Sequence, residues 1–83
     1  MTLLYFAWVR QKVGQSEETM ALPADIRTVA QLAAFLRARG GGYRDAFDDA
    51  ARVRCAVNQE HVGWDAAIGA DDEIAFFPPV TGG

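Results

Sequence analysis

The chain has 83 residues, 51% of them hydrophobic and 23% charged, a balance that supports one folded domain over 1–83 and leaves no room for a second. Its formal charge is −3 and its eight basic residues are scattered, which argues against the basic patch needed to follow a phosphate backbone, so no nucleic-acid partner is expected. One cysteine excludes an internal disulfide, and with neither a leader-like nor a spanning apolar segment in the sequence the economical expectation is a cytoplasmic protein with no membrane partner.

In residues 2–10, Leu4, Phe6 and Trp8 alternate with Leu3, Tyr5, Ala7 and Val9. Both faces are apolar and β-forming, which predicts a central strand with Trp8 buried in it. Polar RQKVGQSEE follows, with Gly14 available for a turn, and TMAL at 19–22 is expected to return as the second arm of a hairpin. Thr28, with Gln31 three residues later, has the spacing of a capping box and opens a helix whose apolar stripe takes Val29, Leu32 and Leu36, with Ala33 and Phe35 beside them. That helix ends at Gly40–Gly42, where Arg37 and Arg39 complement its dipole. Because the glycine run follows a helix, it is not read as a phosphate-binding loop.

YRDAFDDAA then forms a short helical segment with Tyr43 and Phe47 inward, and 52–58 is a half-buried strand with Val53, Cys55 and Val57 on one side. The stretch from Asn58 to Asp72 reads as turns around a short extended piece. EIAFF, 73–77, is the last strand, stopped by Pro78 and Pro79, which lack the N–H a ladder requires. A hairpin, a long crossover carrying a helix, and two further strands fit a mixed sheet packed on one main helix. This is the α+β, β-grasp or ubiquitin-like, architecture; an α/β plait with a second helix at 43–51 fits the same order.

Catalytic chemistry finds little support within the domain. His61 is the only histidine, with no partners at metal-ligand spacing, and is read as an exposed turn residue; no metal site is expected. Cys55, flanked by Val53 and Val57, reads as a small core residue, with Arg52 and Arg54 on the opposite face. The pairs Asp48 and Asp49, and Asp71 and Asp72, diverge as neighbours do and read as surface.

The C-terminus carries more information. Pro78 and Pro79 fix an exit direction, and the four residues beyond them, 80–83, extend by at most about 14 Å, enough to enter another protein's active site. Glycine at the tip lets the chain pass a narrow channel and leaves its terminal carbonyl open to attack. A carboxylate becomes electrophilic once adenylated, and a sulfur donor displacing AMP then leaves a thiocarboxylate.

DEIAFFPPVTGG, 72–83, resembles the terminal signature of the small, sulfur-carrying subunit of molybdopterin synthase. YFAWVR, 5–10, is similar to that family's aromatic first strand, and AVNQ, 56–59, adds a match in the middle. Gln11 stands where the family motif often continues with Glu, so no ion pair is carried over there. The resemblance implies a β-grasp domain that binds no cofactor of its own and is not an enzyme alone. It implies that Gly83 is activated by an adenylating, E1-like enzyme using ATP and Mg, then sulfurated by a sulfur donor protein. It further implies insertion of the tail into the large synthase subunit, where sulfur passes to cyclic pyranopterin monophosphate. In these roles Gly83 carries the sulfur, Gly82 permits threading, and Val80 and Thr81 line the partner's channel. Pro78 and Pro79 set the direction, and of Phe76 and Phe77 one enters the core and the other reaches the partner.

Two other readings share parts of this chemistry. A carrier for thiamine biosynthesis or tRNA thiolation would load sulfur in the same way, whereas a ubiquitin-like modifier would join its terminal glycine to a lysine. A binding module with an incidental glycine tail would need neither terminal glycine.

Overall fold

A computed structural model describes residues 1–79. Strands β1 (Thr2–Tyr5), β2 (Glu17–Thr19), β3 (Arg54–Val57), β4 (Glu60–Val62) and β5 (Glu73–Phe77) form one sheet in the order β2-β1-β5-β3-β4. Helices α1 (Ala7–Val13), α2 (Val29–Ala38) and α3 (Gly41–Phe47) occupy the connections. The first and last strands pair in parallel at the centre, and every other pair is antiparallel. A parallel pair cannot be closed by a tight turn, so the intervening chain crosses over the sheet and covers one face. The result is the expected mixed-sheet β-grasp. The second helical segment exists as α3, but it packs on α2 and into the same core.

Capping starts α2 as its sequence demands. The Thr28 hydroxyl accepts from the Gln31 N–H at 3.2 Å, and the Gln31 side-chain oxygen accepts from the N–H groups of Thr28 and Arg27 at 3.2 and 2.7 Å. Val29, Leu32 and Leu36 are fully buried against Leu3, Tyr5, Ile74 and Phe76 of the sheet. Phe35 departs from the expected stripe: it is exposed, with the Arg39 guanidinium 5.4 Å from its ring centroid.

The expected strand over 2–10 ends at Tyr5. Phe6 is still extended, but Ala7 takes φ 52, which turns the chain out of the sheet. The Phe6 carbonyl then accepts from Val9 and Arg10 at 3.1 and 3.3 Å, starting α1. Gly14, at φ 91, ends the helix by donating to the Arg10 carbonyl at 2.8 Å. Val9 faces the core, and Trp8 is only half-buried beneath the Arg52 guanidinium. An apolar run on both faces suits a central strand or a packed helix equally, and here the chain divides it between them. The hairpin's second arm is therefore Glu17–Thr19, upstream of the expected 19–22.

The glycine run both closes α2 and opens α3, contrary to the expectation that it only follows a helix: Gly40, at φ 80, is the N-cap of α3. Gly42 has a different duty. A Cβ there would collide with the Lys12 carbonyl and lie 2.8 Å from its carbon, so the backbones of α1 and α3 approach too closely for any side chain. Tyr43 and Phe47 turn inward as expected, half-buried and buried respectively. A short 3₁₀ turn, Ala50–Arg52, delays the third strand to Arg54. Asn58 and Gln59, both at positive φ, then make the two-residue turn into β4.

Glu18 points to the helix-covered side of the sheet and ties the layers together. Its carboxylate accepts from Tyr5 and Tyr43, each at 2.8 Å, and pairs with Arg39 at 2.6 Å. Burial opposes its charge, but the hydrogen bonds from Arg39, Tyr43 and Tyr5 together outweigh that and hold the carboxyl below the ordinary glutamate range.

Two predictions follow from this packing. Thr28→Ala removes one cap and lowers stability by about 1 kcal/mol. Gly42→Ala forces α1 and α3 apart and costs more, a ranking that urea denaturation checks. For Glu18 the folded-state pKa lies beneath the unfolded value of about 4.3, so its contribution is complete above that pH and is lost as pH falls through the folded value. Asp72 has the same sign, its carboxyl lowered by the Asn58 amide and the Gly69 N–H. Glu18→Gln is therefore expected to flatten, without abolishing, the fall in melting temperature below about pH 4.3, as followed by thermal denaturation across pH.

Candidate functional site: the last strand and its exit

Strand β5 has a neighbour on each side along its length: Phe76 lies between Tyr5 and Cys55, and Ile74 between Leu3 and Val57. Alternation sends Ile74 and Phe76 to the core, both fully buried, and Glu73, Ala75 and Phe77 to the open face. Phe76 is gripped by three aromatic rings. It meets Phe47 edge-on at 4.9 Å and stacks on Tyr5 and Trp64 at 6.2 and 6.4 Å. The two adjacent phenylalanines are thus separated by the pleat: Phe76 is the anchor, and Phe77 is available to a partner.

The open face beside the exit can be read from the register. Glu17, Leu4, Ala75, Ala56 and His61 form one row across all five strands, and Phe77 sits beside Arg54 in the next. The His61 ring lies 5.0 Å from that of Phe77. Phe6 continues the alternation of β1 on the Leu4 side, 47% exposed, and its N–H donates to the Phe76 carbonyl at 3.1 Å. An apolar strip is thus edged by Glu17, Arg54, His61 and Glu73, the composition of an interface with an apolar centre and polar rim.

Sequence reasoning missed two members of this face. Phe6 was hidden inside the expected long strand, and His61, expected in a turn, lies in β4; the signal for both was the register, which the sequence does not print. Pro78 and Pro79 follow Phe77 directly, both half-buried, and neither can donate to a strand. Val80, Thr81, Gly82 and Gly83 lie outside the described residues.

Other candidate groups do not converge on chemistry. Cys55 is buried, its thiol donating to the Val62 carbonyl at 3.4 Å, and burial raises its pKa despite the nearby Arg54. A thiol held protonated is a poor nucleophile. Among the described residues, no three side chains of metal-ligating type come together, and no helix is long and apolar enough to cross a membrane.

A mixed sheet with parallel terminal strands, helices on one face and a proline-marked exit from the central strand defines a ubiquitin-like β-grasp protein. Comparison with known proteins is more specific. The ThiS family model matches residues 3–83. The molybdopterin synthase sulfur carrier subunit of Escherichia coli (strain K12) is 41% identical over 81 residues, covering 98% of this chain and 96% of that protein. Its counterpart from Haemophilus influenzae is 32% identical over 83 residues, covering 100% and 99%. Among solved structures, a Pyrococcus furiosus protein provisionally described as molybdopterin converting factor, subunit 1, superposes with a TM-score of 0.76 at 32% identity, covering 95% of each chain. SAMP1 from Haloferax volcanii does so at 0.70 and 26%, covering 100% of this chain and 98% of its own. The chain belongs to the ThiS family, among the relatives of the sulfur carrier subunits of molybdopterin synthase.

The pleat makes a direct prediction about the two phenylalanines. Phe76→Ala opens a cavity among three rings and costs about 3 to 5 kcal/mol. Phe77→Ala, on the open face, costs much less, and chemical denaturation of the two variants side by side measures the difference.

Proposed function

We propose that this chain is the sulfur carrier of a molybdopterin synthase, acting in the cytoplasm as the non-catalytic partner of a large subunit. The observation that carries the reading is the end of β5: an anchored Phe76, an outward Phe77, and two prolines leading to the terminal Val80, Thr81, Gly82 and Gly83.

The chemistry resides at the chain end. An adenylating, E1-like enzyme joins the Gly83 carboxylate to AMP, using ATP with Mg and releasing pyrophosphate. Sulfur from a donor protein attacks the acyl carbon, the C–S bond forms, the C–O bond to AMP breaks, and a thiocarboxylate remains. Within the large subunit this sulfur passes to cyclic pyranopterin monophosphate, and two such transfers complete its dithiolene. Gly82 permits threading, Val80 and Thr81 line the channel, and Pro78 and Pro79 aim the tail. Cofactor and acid–base groups are the partners' contribution.

A tail that orders on insertion loses conformational entropy, so the domain needs a surface that supplies binding energy. The strip of Phe6, Leu4, Ala75 and Phe77 beside the exit meets that need. A second reading, a ubiquitin-like modifier whose terminal glycine is joined to a lysine, is compatible with the same fold, which SAMP1 shares. The two are separated by their product.

Incubation with the adenylating enzyme, Mg-ATP and a sulfur donor is expected to exchange one oxygen of the full-length chain for sulfur, read by intact mass. Deleting Gly83, or appending one residue after it, abolishes that exchange and leaves the melting curve unchanged. Full sulfur transfer by either variant would overturn the assignment.

A further inference from the structure

The open face of the sheet has two unlike halves, one on each side of the middle strand β5. One half carries Leu4 and Phe6, with Glu17 outside them on β2. On the other half the His61 and Phe77 rings meet at 5.0 Å across β3, leaving Ala56 beneath them 5% exposed, with Arg54 alongside. Glu17, His61 and Arg54 are exposed. Among the described residues, neither Glu17 nor Arg54 joins an ion pair. One Arg54 guanidinium nitrogen donates to the carbonyls of Ala51 and Val53 at 3.2 and 3.3 Å, which leaves the other for a carboxylate.

These halves complement each other. A two-fold axis along β5 reverses the strand order in a facing copy, so that β2 lies opposite β4 and β1 opposite β3. Each ring pair then rests on the other copy's Leu4 and Phe6, and Glu17 meets the edge that carries His61 and Arg54, both donors for a carboxylate. Facing sheets align within about 30°, an offset that these long rim side chains can span. An axis running across the strands would instead set Glu17 on Glu17 and ring pair on ring pair. The axis along β5 leaves one conflict: Glu73, on β5 at the end away from Phe77, faces its own counterpart.

Area sets the strength of this contact. A face five strands wide and five residues long at β5 measures about 24 by 17 Å, so two facing copies hide roughly 800 Å². Stable complexes bury about 1,200 to 2,000 Å². The contact therefore belongs with weak, exchanging ones, with a Kd on the order of 100 μM.

We propose that the open face is a self-docking surface on which two copies of this chain pair about a two-fold axis along β5. The second copy covers the apolar strip at high concentration and leaves it at low concentration. Pairing needs no step of the sulfur chemistry. Where the carrier reading holds, the second copy and the large subunit compete for the same strip.

Sedimentation equilibrium of the full chain from about 10 μM to 1 mM tests this, with half-association expected near 100 μM. Phe77→Asp is expected to leave a monomer throughout. Glu17→Arg and Arg54→Glu each weaken association about tenfold, because every substitution occurs twice in a two-fold interface, and the double variant recovers most of that loss. Glu73→Gln tightens association about threefold by removing the like charges beside the axis. Melting curves check that each variant is folded, and should Phe77→Asp unfold, the charge-reversed pair still decides. A single monomeric species up to 1 mM overturns self-docking and leaves the carrier reading intact. A dimer indifferent to Phe77→Asp and to both charge reversals lies on another surface, such as the edge of β2 or β4, and overturns it as well. A double variant no better than either single one overturns the axis along β5.

Discussion

Phe76 can be buried only if distant parts of the chain assemble around it. Tyr5 comes from the first strand, Phe47 from α3 and Trp64 from the connection between β4 and β5, while the flanking strands β1 and β3 supply the backbone partners. The first and last strands are adjacent in the sheet, so the exit is built from both ends of the sequence. Its position therefore depends on cooperative folding of the domain, unlike that of a surface loop that opens locally. Rigidity of the strand up to Phe77 follows from that dependence.

The same strand separates two tasks by its pleat. Inward residues Ile74 and Phe76 hold the fold, and outward residues Ala75 and Phe77 contribute to an open apolar strip with Leu4 and Phe6. Glu18 works at the far side of β1, where hydrogen bonds from two tyrosines and an ion pair with Arg39 join the edge strand to α2 and α3. Its charge is tolerated near the core because each layer supplies a donor, which is the condition for burying a carboxylate without large loss. The edge strand β2 is only three residues long, and this cross-layer contact compensates for its short ladder.

Much of this was legible where local chemistry decides structure. The capping box at Thr28, the proline stop after Phe77 and the inward turn of Tyr43 and Phe47 all depend on near neighbours in sequence, and each is present. The stretch from residue 2 to residue 10 was not legible, because Phe6, Trp8 and Val9 suit a two-faced strand as well as a helix. The decision rests on a positive φ at Ala7, a residue with no special preference for it. Nothing in the polar RQKVGQSEE stretch marks Glu18 as a contact between layers, because Tyr5, Arg39 and Tyr43 are distant from it in sequence. Register across five strands, similarly, is what brings His61 beside Phe77. The comparisons identify the family, whereas the roles of the four terminal residues rest on chemistry and resemblance.

In the proposed cycle the free, adenylated and sulfur-loaded forms differ only at Gly83, six residues beyond the last strand. The open face presents Phe6, Leu4 and Phe77 identically in all three, so its contribution to binding a partner is the same for each. A contact that is equal in two states cannot discriminate between them, however favourable it is. In that proposed cycle, release of the spent carrier and capture of the loaded one would be decided by the tail and the site that receives it. On the same proposal the face would set the general affinity and the terminal atoms the order of events. A stronger face would slow exchange of spent for loaded carrier without improving that choice, which places a physical limit on how apolar the strip can usefully become.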